Sequence, residues 1–405
     1  MRGEVTVSGA KNAALPLLAA TLLASGQHSI AGVPKLRDIT TMRALLEHLG
    51  CETTFTDDFC INTKNIQSNE APYHMVKTMR ASFLVLGPLL ARFHRARVSL
   101  PGGCAIGVRP VDIHLKALET MGVSIAIDMG YVNASCKKLK GARLSFDIPT
   151  VGGTENVMMA ASLADGVTTI VNAAREPEII ELAQALKKMG ARIYGEGSDT
   201  ITIEGVKELN PLVHTLMPDR IEAGTFMVAA GITGGDITIK NCPLQYMGSV
   251  VEKLREAGLS IEECRDIARV RCNDSLIPVE VKTLPYPGFP TDMQAQIMAL
   301  ATRAPGSSVI RETIFENRFT HVAELERMGA DIRVEQDSAI VTGVDRLRGA
   351  PVMATDLRAS ASLVLAGLAA EGTTTVSRVY HLDRGYENLE IKLRNMGADI
   401  YREKE

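Results

Sequence analysis

Leu100 to Asp112 reads Leu-Pro-Gly-Gly-Cys-Ala-Ile-Gly-Val-Arg-Pro-Val-Asp, a glycine-rich loop with a thiol at Cys104 and a guanidinium five residues later at Arg109. Gly102, Gly103 and Gly107 leave the backbone free to take left-handed conformations and to move, so the loop reads as a flap that can close over a site. A lone cysteine in a turn is more often just a small residue. The case for chemistry rests on a second set of residues. Lys11, Arg80, Arg220 and Arg358 stand at the starts of alanine-rich helical patterns, beside Asn12, Ser82, Glu222 and Asp356; Thr154-Glu155-Asn156 and Thr291-Asp292 hold the same place in two further patterns. Aspartate, threonine and asparagine there are explained as helix caps. Cations at the positive end of a helix dipole are not, whereas the backbone N–H groups of helix starts favour anions. The pattern points to a polar, cationic trap for phosphate or carboxylate, formed if two domains face each other across these helix ends.

A repeat must position these groups. Six copies of one phrase, a bulky residue or alanine, then glycine, then a short alternating strand, occur around Gly50, Gly122, Gly190, Gly258, Gly329 and Gly397, separated by 68 to 72 residues. Six units of near-constant length therefore cover the chain. Each glycine follows a helical pattern and reads as its C-cap. Upstream lies a second helix of alanine and leucine, followed in five copies by Gly26, Gly166, Gly235, Gly306 or Gly372 and then by a β-branched strand. A helix that is apolar all round must be buried on every side. The expected architecture is α/β: two pseudo-three-fold domains, each of three repeats with buried helices and outer sheets. The first unit shows no opening strand before Glu4-Val5-Thr6-Val7, which would leave a sheet edge unpaired.

The 405 residues exceed what one core accommodates. A net charge of −3 gives no support for nucleic acid or an anionic membrane as partner. Seven widely spaced cysteines with no C-x-x-C pair argue against a disulfide framework and against a zinc site, and fit a reducing cytoplasm. The apolar run from Ala13 to Ala20 imitates part of a signal peptide, but its recurrence in later repeats marks it as a core helix. No run is long enough to span a membrane.

The ordered motifs are similar to those of the UDP-N-acetylglucosamine 1-carboxyvinyltransferases (enolpyruvyltransferases). They include Ser8-Gly9-Ala10-Lys11-Asn12, Lys77-Thr78-Met79-Arg80-Ala81-Ser82, the Cys104 flap with Arg109-Pro110-Val111-Asp112, and Asn172-Ala173-Ala174-Arg175-Glu176-Pro177-Glu178. Towards the C-terminus they continue with Pro218-Asp219-Arg220-Ile221-Glu222, Phe289-Pro290-Thr291-Asp292, Glu312-Thr313-Ile314-Phe315-Glu316-Asn317-Arg318, Ala354-Thr355-Asp356-Leu357-Arg358 and Asp383-Arg384-Gly385-Tyr386. The resemblance implies an inside-out α/β barrel in each of two domains, 11–217 and 1–10 with 218–405. It also implies transfer of the enolpyruvyl group of phosphoenolpyruvate to the 3′-hydroxyl of UDP-N-acetylglucosamine by addition and elimination, with no cofactor or metal, in a monomer of the bacterial cytoplasm committed to peptidoglycan precursors.

Carried over residue by residue, the resemblance makes Cys104 the proton donor and Asp292 either the base or the group that orients the sugar hydroxyl. Lys11, Arg109, Arg318, Arg358 and Arg384 become the grip on the phosphoenolpyruvate anions, Lys11 and Arg384 also serving the catalytic step; guanidinium forks suit such groups. The nucleotide sugar is expected against Asn12, Arg80, Arg109, Pro110, Val111, Asp112, Ile113, the turn of Thr150, Val151 and Gly152, Asp292 and Ile314. Where some members carry a lysine at the start of that turn, this chain has Ile148, which leaves backbone N–H groups for the diphosphate. Family members usually carry about ten more residues before Gly3, forming a strand that pairs with the C-terminal domain. The family's sensitivity to the epoxide fosfomycin implies a reactive Cys104. The nearest rival activity is the sister reaction on shikimate 3-phosphate, against which the Cys104 flap and the Arg109 motif speak. A ring-shaped DNA sliding clamp, the rival from another class, needs a basic inner face that these alanine and leucine helices do not offer.

Overall fold

The computed structural model describes residues 1–102, 111–272 and 275–403. Six helices carry the burial that their composition demands: Lys11–Ala20, Leu86–Phe93, Val151–Ala161, Arg220–Ile232, Gln294–Ala301 and Leu357–Leu368. Every residue of Arg220–Ile232 and of Gln294–Ala301 is buried. The helices that end at the repeated glycines are amphipathic instead, and all six glycines are left-handed, with φ between +87° and +107°. In each copy the glycine N–H donates three residues back and the following N–H five residues back, as in Gly190 to Lys187 and Ala191 to Leu186, both 2.9 Å. This is the Schellman stop, and glycine takes its left-handed position without a Cβ penalty.

Five four-stranded sheets follow one plan. The second-position strands Gln27–Ala31, Arg95–Ser99, Val167–Val171, Asp236–Lys240 and Ser307–Arg311 each pair in parallel with one neighbour and antiparallel with the other. Residues alternate along them, Ile170 facing the core between the more accessible Thr169 and Val171. The expected unpaired edge is absent: Arg2–Thr6 is itself a strand and lies parallel to Asp236–Lys240, Val5 opposite Ile239. It fills in its unit the place that Val213–Thr215 fills beside Gln27–Ala31 in the other. The sixth repeat departs from the plan, its described strands forming only the short parallel pairs Leu347–Arg348 with Ala370–Glu371 and Pro351–Met353 with Thr375–Ser377. No described sheet closes on itself.

The described residues fall into two compact units, one of Met1–Ser8 with 218–403, the other of 9–102 with 111–217. The second starts two residues before the expected residue 11, because Gly9 is packed where a Cβ would lie 2.0 Å from the Gly32 carbonyl oxygen. In the first unit the helices Arg220–Ile232, Gln294–Ala301 and Leu357–Leu368 pack against one another in pairs. In the second, Val151–Ala161 packs on Leu86–Phe93, and Lys11–Ala20 packs on the 3-10 turn Arg80–Val85 that leads into Leu86–Phe93. Among the described residues, no helix is long and apolar enough to cross a membrane.

Candidate active site

In the first unit, Asp292 lies in the 3-10 turn Thr291–Met293 that opens the Gln294–Ala301 helix. Its carboxylate is held from two sides: Arg318 Nη2 donates to Oδ1 at 2.8 Å and Arg358 Nε donates to Oδ2 at 3.2 Å. Arg318 is 5% exposed and Arg358 1%. Burial works against the Arg358 charge, but Tyr386, Asp292 and Asp219 outweigh it and keep the guanidinium protonated. Two guanidiniums thus share the one Asp292 carboxylate. Arg358 Nη2 also lies 3.2 Å from Oδ2, whereas Nη1 makes no hydrogen bond among the described residues. Each buried donor left unmade costs about 1–3 kcal/mol or more when charged, so such donors mark a place for an anionic ligand.

Arg384 ends the 3-10 turn Val379–Arg384. A Cβ on Gly385 would lie 2.3 Å from Leu357 Cδ1, so a larger residue there would push that methyl aside; the same point is 3.5 Å from Arg358 Nη1, so this segment runs against the start of the Leu357–Leu368 helix. Ile314 is placed by Glu312, a buried acid that the sequence reading did not single out. Glu312 Oε1 accepts from the N–H groups of Ile314 (2.8 Å) and Phe315 (3.1 Å) and from Thr283 Oγ1 (2.9 Å), while Oε2 accepts from Thr291 Oγ1 at 2.8 Å. Thr291 Oγ1 in turn accepts from Arg318 Nη1 at 2.8 Å. A relay therefore runs from Glu312 through Thr291 and Arg318 to Asp292. Its only sequence signal was an acid directly after the alternating strand Ser307–Arg311.

In the second unit, Lys11 opens the Lys11–Ala20 helix with no side-chain cap, and its Nζ lies 3.1 Å from Asp38 Oδ2 with both side chains buried. Asp38, in the first turn of Arg37–Leu49, is a second residue missed from sequence. Asn12, half buried, follows Lys11 on the same helix. Arg80 is half buried and faces His114, whose pKa is pushed down to about 4 by burial, with Arg80 adding to the effect and Asp112 opposing it. The Asn156 amide donates to His114 Nδ1 at 3.2 Å, which puts the proton of the neutral ring on Nε2. A Cβ on Gly152 would lie 3.2 Å from His114 Cε1, so the buried imidazole links Arg80 to the Thr150–Gly152 turn.

Some expectations are corrected here. The third buried helix starts at Val151, so Thr154, Glu155 and Asn156 lie a turn inside it and are buried rather than presented at its start. Thr150 is its cap, accepting from the Gly153 N–H at 3.3 Å. Thr154 Oγ1 accepts from the Ala174 N–H at 3.0 Å, and Asn156 ties Gly87 (2.7 Å) to Phe83 (3.2 Å), which are packing roles. Val111 precedes and Asp112 opens the helix Asp112–Thr120; Asp112 lies 3.9 Å from Lys116 in an exposed pair, and Ile113 is half buried. Val151 and Ile148 are exposed, by 37% and 59%. Cys104, Arg109 and Pro110 lie outside the described residues.

A family model described as EPSP synthase (3-phosphoshikimate 1-carboxyvinyltransferase) matches residues 1–393. Curated UDP-N-acetylglucosamine 1-carboxyvinyltransferases are similar from end to end: that of Geobacter metallireducens is 60% identical over 406 residues, and that of Geotalea uraniireducens 59% over 406, each covering 100% of this chain and 97% of the relative. The chain belongs to the UDP-N-acetylglucosamine 1-carboxyvinyltransferases. Among solved structures, the enolpyruvyl transferase NikO from Streptomyces tendae is similar with a TM-score of 0.88 at 25% identity, covering 98% of this chain and 95% of its own. An EPSP synthase from Acinetobacter baumannii shares the α/β fold with a TM-score of 0.77 at 19% identity, covering 100% and 98%. The residues that distinguish the UDP-N-acetylglucosamine enzymes from the EPSP synthases must therefore be sought in side chains, since the fold is common to both.

Proposed function

We propose that the protein transfers the enolpyruvyl group of phosphoenolpyruvate to the 3′-hydroxyl of UDP-N-acetylglucosamine with release of phosphate. The observation that carries this reading is the buried seat in which Arg318 and Arg358 hold Asp292 while Nη1 of Arg358 is left without an acceptor among the described residues. Phosphoenolpyruvate offers a phosphate and a carboxylate to such donors. Lys11, Arg109 and Arg384 complete the grip on these anions, with Lys11 held ready by Asp38. In the addition step Cys104 gives a proton to the substrate methylene while the sugar oxygen attacks the adjacent carbon and yields its own proton to Asp292. Elimination then returns a proton from the new methyl group and expels phosphate, so that atoms and charge balance. Asp292 can take its proton late, when bond formation has acidified the hydroxyl.

The nucleotide sugar is assigned to Asn12, Arg80, Val111, Asp112, Ile113, the Thr150–Gly152 turn and Ile314, with the exposed Ile148 leaving diphosphate contacts there to backbone N–H groups. In this reading each unit is an inside-out barrel of pseudo-three-fold symmetry, and the enzyme works as a cytoplasmic monomer on soluble substrates. The test offers phosphoenolpyruvate with UDP-N-acetylglucosamine or with shikimate 3-phosphate and measures phosphate release. Release with the nucleotide sugar alone is expected; release with shikimate 3-phosphate alone would overturn the reading.

A further inference from the structure

Beneath Arg358 the three buried helices of its unit do not meet through apolar side chains alone. Tyr386 is 2% exposed, and its hydroxyl lies 2.9 Å from Thr225 Oγ1, on the Arg220–Ile232 helix. Gln296 Nε2, on Gln294–Ala301, donates to the Tyr386 hydroxyl at 3.1 Å and to the Asp292 carbonyl at 3.0 Å. The guanidinium of Arg358, on Leu357–Leu368, lies over the Tyr386 ring, 5.3 Å from its centroid.

The proton order follows by elimination. Thr225 spends its only hydroxyl proton on the Ile221 carbonyl at 2.8 Å, so toward Tyr386 it is the acceptor and the phenol is the donor. The Gln296 amide holds the Asp292 carbonyl with one proton and offers the other to the phenol at 3.1 Å and to Thr225 Oγ1 at 3.3 Å. Burial, opposed by Arg358 and Thr225, raises the Tyr386 pKa, which keeps this donor in place. The network thus has one direction, and it touches both the side chain of Arg358 and the backbone of Asp292. It also anchors the segment Arg384-Gly385-Tyr386, which Gly385 brings against Leu357.

A polar cluster of this kind could be only a satisfied junction between helices. Two features point elsewhere. Arg358 is nine-tenths buried, and Asp292 meets only its Nε and Nη2 edge, so Nη1 is left with no acceptor among the described residues to direct it. The flat phenol ring supplies a surface for the guanidinium plane, and its hydroxyl fixes that ring from two other helices. We propose that Tyr386, locked by Thr225 and Gln296, is a positioning residue that aims the free Nη1 of Arg358 at the substrate anion. The proposal rests on the enolpyruvyl-transfer reading for the identity of that anion.

The experiment compares the full-length protein with Tyr386→Phe, which keeps the ring and removes the hydroxyl, and with Thr225→Val, which removes the acceptor. Calorimetric binding of phosphoenolpyruvate, KM for each substrate and kcat are measured, with thermal melting as the control for folding. Tyr386→Phe is expected to weaken phosphoenolpyruvate about 10-fold, the effect of one lost hydrogen bond in a buried network, while KM for the nucleotide sugar stays within twofold. Thr225→Val should weaken it in the same direction, and the double variant should be no worse than Tyr386→Phe, because both remove one device. Unchanged phosphoenolpyruvate affinity in a stably folded Tyr386→Phe would overturn the proposal, as would equal losses for both substrates. If the parent protein turns over no nucleotide sugar yet binds phosphoenolpyruvate more tightly than Tyr386→Phe does, the proposed acceptor falls and the positioning role stands.

Discussion

Replacing Asp292 by asparagine keeps the shape of the side chain and removes its charge from between two guanidiniums. The amide oxygen can accept from only one of Arg318 and Arg358, and the amide nitrogen then confronts the other, donor against donor. Removing one partner of a fully buried ion pair costs about 3–5 kcal/mol. The Asp292 carboxylate is 27% exposed, so solvent screens part of this, and about 2 kcal/mol is the expected loss, a fall of roughly 4–8 °C in the melting temperature of a unit of this size. Turnover should fall much further, by about 10²- to 10⁴-fold, if the carboxylate receives the hydroxyl proton. Binding should move the other way. With no internal carboxylate competing for them, the two arginines should hold phosphoenolpyruvate or inorganic phosphate as tightly as before or up to about 10-fold tighter, and the nucleotide sugar should bind near normally. Phosphate release, calorimetry with each ligand and a thermal melt separate these effects. A rate within threefold of the parent would refute the assignment of a base. A loss of nucleotide-sugar affinity with a normal rate per bound substrate would make Asp292 a ligand for the sugar only.

The buried helices, their starts at Lys11, Arg220 and Leu357 and the six glycine stops were legible because each rests on a local rule, composition all round a helix or a left-handed residue after it; Arg80, read as a fourth start, opens instead the 3-10 turn that precedes Leu86–Phe93. Asp292, Arg318 and Arg358 could be named one by one from the motifs, but not that they form one cluster, because the contacts join positions 26 and 66 residues apart. The residues that hold them were harder still. Glu312 and Tyr386 stand inside quoted motifs, yet their roles depend on partners distant in sequence, Thr283 and Thr291, 29 and 21 residues away, for one and Thr225 and Gln296, in other repeats, for the other. Asp38 gave no sign, since an acid in the first turn of a helix already has a dipole explanation. Arg2–Thr6 was misread for a related reason: an edge strand finds its partner, Asp236–Lys240, more than 200 residues away, and its own five residues cannot say so.

Arg384→Ala should reduce kcat/KM by about 10²-fold or more, while Arg37→Ala, at an exposed helix start, should stay within threefold; equal effects in a phosphate-release assay would show that the anion cluster is wrongly assigned. Glu312→Gln removes the charge that gathers Ile314, Phe315, Thr283 and Thr291, so KM for the nucleotide sugar should rise about 10-fold; unchanged KM would detach the Ile314 loop from that substrate. Glu155 is buried, and burial together with Glu178 and Glu176 holds its pKa well above the usual carboxylate range. Its stabilising effect is present below the unfolded-state pKa and is lost as pH rises, so Glu155→Gln should gain stability over the parent as the buffer moves from pH 6 to 9, and urea melts showing a constant difference would contradict this. One equivalent of a phosphonate epoxide should label Cys104 before Cys51 and Cys242, whose thiols burial pushes up to about 12; peptide mapping that finds the label elsewhere would remove Cys104 from the chemistry. Acid should open the unit of 9–102 and 111–217 first. His28 and His114 are buried in it with pKa values lowered to about 4, chiefly by burial, against about 6.5 when unfolded. Their contribution is complete above the unfolded value and is lost as pH falls through the folded one, about 2 kcal/mol each by pH 5; the other unit holds His321, likewise lowered to about 4, and each unit also holds a buried glutamate, Glu155 or Glu222, whose raised pKa works the opposite way. Hydrogen exchange at pH 5 should therefore show amides of Val151–Ala161 losing protection before those of Arg220–Ile232, and the reverse order would mean that groups other than these histidines govern acid stability.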